Sequence, residues 1–328
     1  MPSTISHDYH YKDVYELCSE YFQQYYSKEV FFLHSIFAQG HDALFFSDFW
    51  KLWNFNSKRE KAIYLQDHKF QDFGVEMAEL LKNWNLDDSK TLKLLLYGYI
   101  IHHILDSYTH PYIIYETQAI GGGMHELVES YIDKYMIEQR EVMNSGNFKI
   151  HKMIAKPPRF NEAEIDLVNE AFFYTYAYEQ FGKTYVDALN QVNLFLRLFR
   201  YDPTRIKDWG YGLIDKTDLI SLKFSFLSYN HDYSGFEPYL NEEHRKWFNP
   251  CDENLSSTSS FFELYWQAAE VAAKIISELE MAINDKASSS QFKSIIPDTS
   301  AIHGLKCGQS LSFNTLRKQR LSNGKNIN

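Results

Sequence analysis

Nine of the thirteen histidines fall within the first 125 residues, and His102 and His125 each stand four residues before a carboxylate. His102 precedes Asp106 in YGYIIHHILDSYTHPY, and His125 precedes Glu129 in MHELVESYID. On an α-helix that interval puts two side chains on one face, a turn apart. Leu95, Tyr99 and Leu105 lie near the His102 face, so a carboxylate is expected in an apolar setting. Such burial is costly unless the group is paired or shares a cation. One pair alone reads as a hydrogen-bonded core couple or a surface ion pair. Two pairs within 28 residues, with His110 between them, read as a multi-metal site built from inward-facing helices. Imidazole and carboxylate donors suit zinc, and no cysteine lies near enough to suggest a structural finger.

The elements that must position these donors are helical. Gly (14) and Pro (8) are scarce, which argues for long helices over strands and turns. Apolar spacing predicts helices over Tyr11–Tyr26, Glu60–Trp84, His125–Arg140, Asn161–Gln180, Lys183–Arg200 and Ser259–Asn284. Phe31–Trp53 reads as two short helices around a turn. A further helix is capped by Asp87 or Asp88 and stops at Pro111. Gly121-Gly122-Gly123 reads as a flexible break and Pro157-Pro158 as a loop; residues 201–258 read as loops with short helices. Residues 286–328 hold seven Lys or Arg and little periodic apolar character, so a mobile basic tail is expected there, with Phe292, Ile295 and Ile296 as the residues that would dock if any do. The division expected is a helical domain over 1–285 and a tail over 286–328.

The run His102-xxx-Asp106-xxx-His110-Pro111, followed by His125-xxx-Glu129, resembles the zinc-dependent phospholipase C family of bacteria, which is related in fold to the P1 and S1 nucleases. The likeness extends upstream through SHDYHYKDVY, AQGHDALFF and QDHKFQDF, and covers roughly residues 1–140. It implies an all-α multi-helix bundle of that type. It also implies a ligand set of His7, Asp42, His68, His102, Asp106, His110, His125 and Glu129 for two or three zinc ions. In that scheme Asp42, His68 and His102 hold one metal, Asp106 bridges to a second that His7 also contacts, and His110, His125 and Glu129 hold the remaining one. Secreted members supply the amine of a processed N-terminal tryptophan, whereas this chain begins Met-Pro. Their third histidine lies six residues after the bridging aspartate, where His110 lies four after Asp106. The implied chemistry is hydrolysis of a phosphodiester or phosphomonoester by a zinc-held hydroxide, with Asp42 aligning or deprotonating the water.

The other histidines read differently. His10, three residues after His7, is an alternative to it. His103 points about 100° from His102 and reads as packed or in contact with a ligand. His34 and His41 sit among aromatics and read as packing or substrate contacts, while His151, His231, His244 and His303 belong to no constellation. The 24 Tyr, 25 Phe and 6 Trp read mainly as core, with Phe45, Phe46, Phe49 and Trp50 as alternative cleft-lining rings.

A net charge of −10 disfavours a general nucleic-acid partner or a strongly anionic membrane. No leader or membrane span is evident: the most apolar stretch, Leu92–Leu105, is too short and carries two histidines. Cys18, Cys251 and Cys307 show no CxxC spacing, so a reducing, cytoplasmic setting is expected. The substrate classes favoured are a small phosphate ester or a phospholipid headgroup, with nucleic acid open but not favoured. The rival reading is a non-catalytic binding protein whose metals stabilise a helical bundle.

Overall fold

A computed structural model describes residues 4–47, 55–84, 90–118, 120, 123–140, 150–198, 206–216 and 232–309. The chain is mostly helical, as expected, and among the described residues no helix is long and apolar enough to cross a membrane.

Helix α1 spans Thr4–Leu17, beginning at Thr4 rather than Tyr11. A carboxylate from a distant helix makes the extra turn stable. Asp133 accepts from the backbone N–H of Ile5 (3.1 Å) and Ser6 (2.8 Å) and from the Ser6 hydroxyl (2.5 Å). These are donors that a helix start otherwise leaves unpaired. The predicted helix over Tyr11–Tyr26 is interrupted at Ser19, whose hydroxyl caps α2 (Glu20–Tyr25). Then α3 (Lys28–Phe32) leads into a 3-10 segment, Ser35–Phe46, kinked at Gly40 with φ 47°.

The predicted helix over Glu60–Trp84 is two helices, α4 (Phe55–Asp67) and α5 (Phe70–Lys82). The break falls at His68-Lys69. Lys69 takes the left-handed conformation (φ 57°), its Nζ donates to the Thr175 carbonyl (2.7 Å), and the Tyr176 hydroxyl donates to the His68 carbonyl (3.1 Å). Tertiary bonds to the chain around Thr175 thus win over local helix continuity.

Helix α6, Lys90–Thr117, is the axis of the fold. It is buried on all sides over most of its length, which is why its sequence shows no polar face. It passes through Pro111 instead of stopping there. Proline removes the donor for the Ser107 carbonyl, and that carbonyl lies against Gly304, so close that a Cβ there would sit 2.5 Å from it.

The remaining helices are α7 (Met124–Arg140), α8 (Ile150–Met153), α9 (Glu162–Tyr176), α10 (Phe181–Leu198), α11 (Ile206–Asp215), α12 (Phe261–Asn284) and α13 (Ser289–Ile295). Capping boxes start α9 (Asn161 with Glu164) and α12 (Ser260 with Glu263). Helix α12 packs along α6. Their register is set by a buried ion pair, Lys93 to Glu280 at 2.9 Å, in which Glu280 also accepts from Tyr26 (2.9 Å), Tyr97 (2.6 Å) and Asn284 (2.7 Å). A charge buried this deeply is tolerated because its acceptors are filled.

Two features lie outside the sequence reading. An antiparallel hairpin joins β1 (Trp247–Asn249) to β2 (Asp252–Ser257). The stretch expected to be a mobile tail is, up to residue 309, part of the fold: Phe292 and Ile296 do dock, and a strap over 296–308 buries Ser300, Ala301 and His303. Residues 310–328 lie outside the described residues, as do Asp87, Asp88, Phe49, Trp50, Gly121 and Gly122.

Candidate metal centre

Four elements deliver seven of the eight expected ligands to two adjoining groups. In one, His7 from α1, Asp42 from the 3-10 segment, and His102 and Asp106 from α6 each point a donor atom into a common space; in the other, His110 from α6 meets His125 and Glu129 from α7. Within each group these atoms lie within 4.8 Å of one another. The His-xxx-carboxylate spacing acts as the helix geometry demands, placing His102 Nε2 3.2 Å from Asp106 Oδ2 and His125 Nε2 3.1 Å from Glu129 Oε1.

Asp106 joins the groups. Its Oδ1 is 3.2 Å from His7 Nε2 and 3.6 Å from His110 Nε2, while Oδ2 faces His102. His110 Nε2 is in turn 3.2 Å from Glu129 Oε1. Bonds of about 2.0–2.1 Å in a tetrahedral zinc site set neighbouring donors roughly 3.3 Å apart, and most of these separations match.

The hydrogen bonding on the outer side of the rings decides what the inner side requires. His102 Nδ1 is 2.8 Å from the Ala38 carbonyl, and His110 Nδ1 is 2.8 Å from the Ala301 carbonyl. A carbonyl only accepts, so each Nδ1 carries a proton and each neutral ring turns a bare Nε2 lone pair inward. There the lone pair meets carboxylate oxygen: His102 Nε2 and Asp106 Oδ2 are both buried without a hydrogen-bond partner. Lone pair against lone pair in a dry interior needs a cation between them. Outward Nδ1–H to carbonyl is also the arrangement that orients a metal-binding imidazole.

Without a metal, a proton takes that place. Burial alone would lower the His110 pKa, yet Asp106 and Glu129 push it up to about 9. His102 is likewise raised by Asp106 and Asp42 against burial. His7 goes the other way, lowered by burial and by His102, whose ring stacks on it at 4.0 Å. Burial raises Asp106 and Glu129, but the facing imidazoles hold both well below the usual carboxylate range.

Around Asp42 the support is specific. His41 Nδ1 and Gln66 Nε2 both donate to Asp42 Oδ1 at 3.1 Å. His41 is fully buried, and burial together with His102 lowers its pKa to about 4. Gly40 allows the 3-10 segment to pass against His102, because a Cβ at that position would collide with the ring.

His68 is not among the clustered residues, which corrects the expectation for it. The α4–α5 break leaves its ring stacked on Tyr64 at 4.1 Å, with Nδ1 3.2 Å from the Tyr64 carbonyl and the side chain partly exposed. His10 is buried beside Tyr265 and belongs to neither group, whereas His7 does. His103 stacks on Phe70 and donates from Nε2 to the Thr299 carbonyl (2.6 Å). His34 bonds to the Val30 carbonyl, His244 pairs with Glu263, and the side chains of His151 and His231 lie outside the described residues. Phe45 and Phe46 are core. His303, grouped with nothing in the sequence, is buried 3.0 Å from Asp67.

Sequence reasoning missed the supports: His41, Gln66, Asp133, and the Ala38 and Ala301 carbonyls. Only His41, adjacent to Asp42, carried a signal. A cleft of about 330 Å³ borders the strap at Thr299, His303 and Gly304, and none of the seven clustered side chains lines it. Comparison with protein-family models, with curated proteins and with solved structures finds no match.

Proposed function

We propose that the chain is a zinc-dependent phosphoric ester hydrolase resembling phospholipase C. The observation that carries this reading is the buried approach of His102 Nε2 to Asp106 Oδ2, neither with a hydrogen-bond partner, beside five further inward donors. His7, Asp42, His102 and Asp106 would hold one ion, and His110, His125 and Glu129 another, with Asp106 shared. The N/O donor set suits zinc. Zinc there supplies Lewis acidity for a phosphoryl oxygen and lowers the pKa of a water.

The chain's own residues supply the rest. Asp42, with two donors on Oδ1, is held in one orientation, as a carboxylate that aligns a water or takes its proton must be. His125 is the most exposed of the seven, at 31 % of its side chain, so substrate enters on that side. An acidic chain favours a small phosphodiester, a phosphomonoester or a phospholipid headgroup over a nucleic acid. Three unpaired cysteines fit a cytoplasmic setting.

Purified protein is expected to carry two or three zinc ions per chain and to hydrolyse bis-(p-nitrophenyl) phosphate. Asp42→Asn is expected to abolish turnover with circular dichroism unchanged. One observation favours a second reading, a metal-stabilised binding protein: all four residues of the first group are at most 5 % exposed. Stoichiometric zinc without ester hydrolysis would favour that reading, and a zinc-free native protein would sink both.

A further inference from the structure

The strap over 296–308 donates no ligand but bonds to the candidate metal centre at several points. The Ala301 carbonyl accepts from His110 Nδ1 at 2.8 Å, 191 residues away in sequence. The Ala301 N–H donates to the Gln66 carbonyl at 2.8 Å, and Gln66 is the residue whose amide holds Asp42. The Thr299 carbonyl accepts from His103, the neighbour of His102. The strap is itself pinned: His303 Nε2 lies 3.0 Å from Asp67, its Nδ1 accepts from the Leu305 N–H at 3.1 Å, and the Gly308 N–H donates to the Asp67 carbonyl at 2.8 Å. With Nδ1 held by the Leu305 N–H, the ring is fixed with Nε2 turned to the Asp67 carboxylate, so His303 reads as a clamp and not as a base. Gly304, at φ 68°, lets the strap lie on the Ser107 carbonyl that Pro111 exposes.

We propose that residues 299–304 are the positioning element of the His110–His125–Glu129 group, fixing the His110 tautomer through the Ala301 carbonyl so that Nε2 stays free to bind a cation. The claim rests on the zinc reading for its consequence but not for its geometry. Nothing in the ligand motif encodes it, because the contact to His110 is made by backbone.

Gly304→Val tests it. A Cβ at this position would meet the Ser107 carbonyl at 2.5 Å, and a β-branched residue strongly disfavours positive φ, so the strap must move. His303→Ala, which removes the clamp on Asp67, is the second variant in case the first does not fold. In either folded variant, zinc affinity measured by chelator competition is expected to fall about 10–100-fold at one site, with the remaining zinc retained. Long-range proton–nitrogen NMR is expected to show His110 losing its uniform Nδ1–H form. Truncation after Gly308 is expected to leave both readouts unchanged. Wild-type zinc affinity and an unaltered His110 tautomer in both folded variants would overturn the proposal. If the wild type binds no zinc, the hydrolase reading fails, and the His110 tautomer of the metal-free protein, read above pH 9 where the ring is neutral, still decides the strap.

Discussion

Asp106 faces three imidazoles, one oxygen toward His7 and His110 and the other toward His102. On the zinc reading a carboxylate in that position would serve two cations, so Asp106→Ala is expected to lose more than one zinc equivalent by elemental analysis. Loss of one or none would count against bridging. His68→Ala is expected to keep the wild-type zinc content, since the ring stacks on Tyr64 outside both groups. For His110 the folded pKa, about 9, lies above the unfolded value near 6.5. In the metal-free protein its protonated form therefore contributes stability that is complete below about pH 6.5 and is lost as pH rises through 9. Zinc must displace that proton, so affinity is expected to rise over the same interval. Opposite slopes for urea stability of the metal-free chain and for zinc affinity, between pH 6 and 9, check both; parallel slopes would refute the exchange.

At the scale of elements, the donors on α6 and α7 were legible because a four-residue interval has one meaning on a helix. His68 was misread for the complementary reason. The periodicity of residues 60–84 suits one helix, and only the remote bonds at Lys69 and Tyr176 break it. The start of α1, and with it the placement of His7, depends on Asp133, which carries no local signal either. Asp133→Ala removes three hydrogen bonds to a buried charge and is expected to cost about 3 kcal/mol in urea unfolding. An effect under about 1 kcal/mol would mean that α1 is held by other contacts. The strap was read as tail because its contribution is backbone carbonyls and a glycine, neither of which shows as periodic hydrophobicity.

For the molecule as a whole, three carboxylates buried among imidazoles are a substantial part of a net charge of −10. Two or three divalent ions would offset it locally. A ligand whose Kd lies about 1,000-fold below its working concentration adds roughly 4 kcal/mol to the native state. Exhaustive dialysis against a chelator is therefore expected to lower the Tm by about 10 °C, reversed by zinc and not by magnesium. A Tm indifferent to both would leave the buried carboxylates to be explained by protons alone.

The wide sequence separation between the donors and the strap has a consequence for synthesis. All seven clustered donors lie within the first 129 residues, yet the carbonyl that steadies His110 belongs to residue 301. A ribosome releases the donors long before it releases their brace. Chains arrested short of Ala301 would present the seven donors with the His110 ring still unbraced, so translation through residue 301 is what supplies that brace.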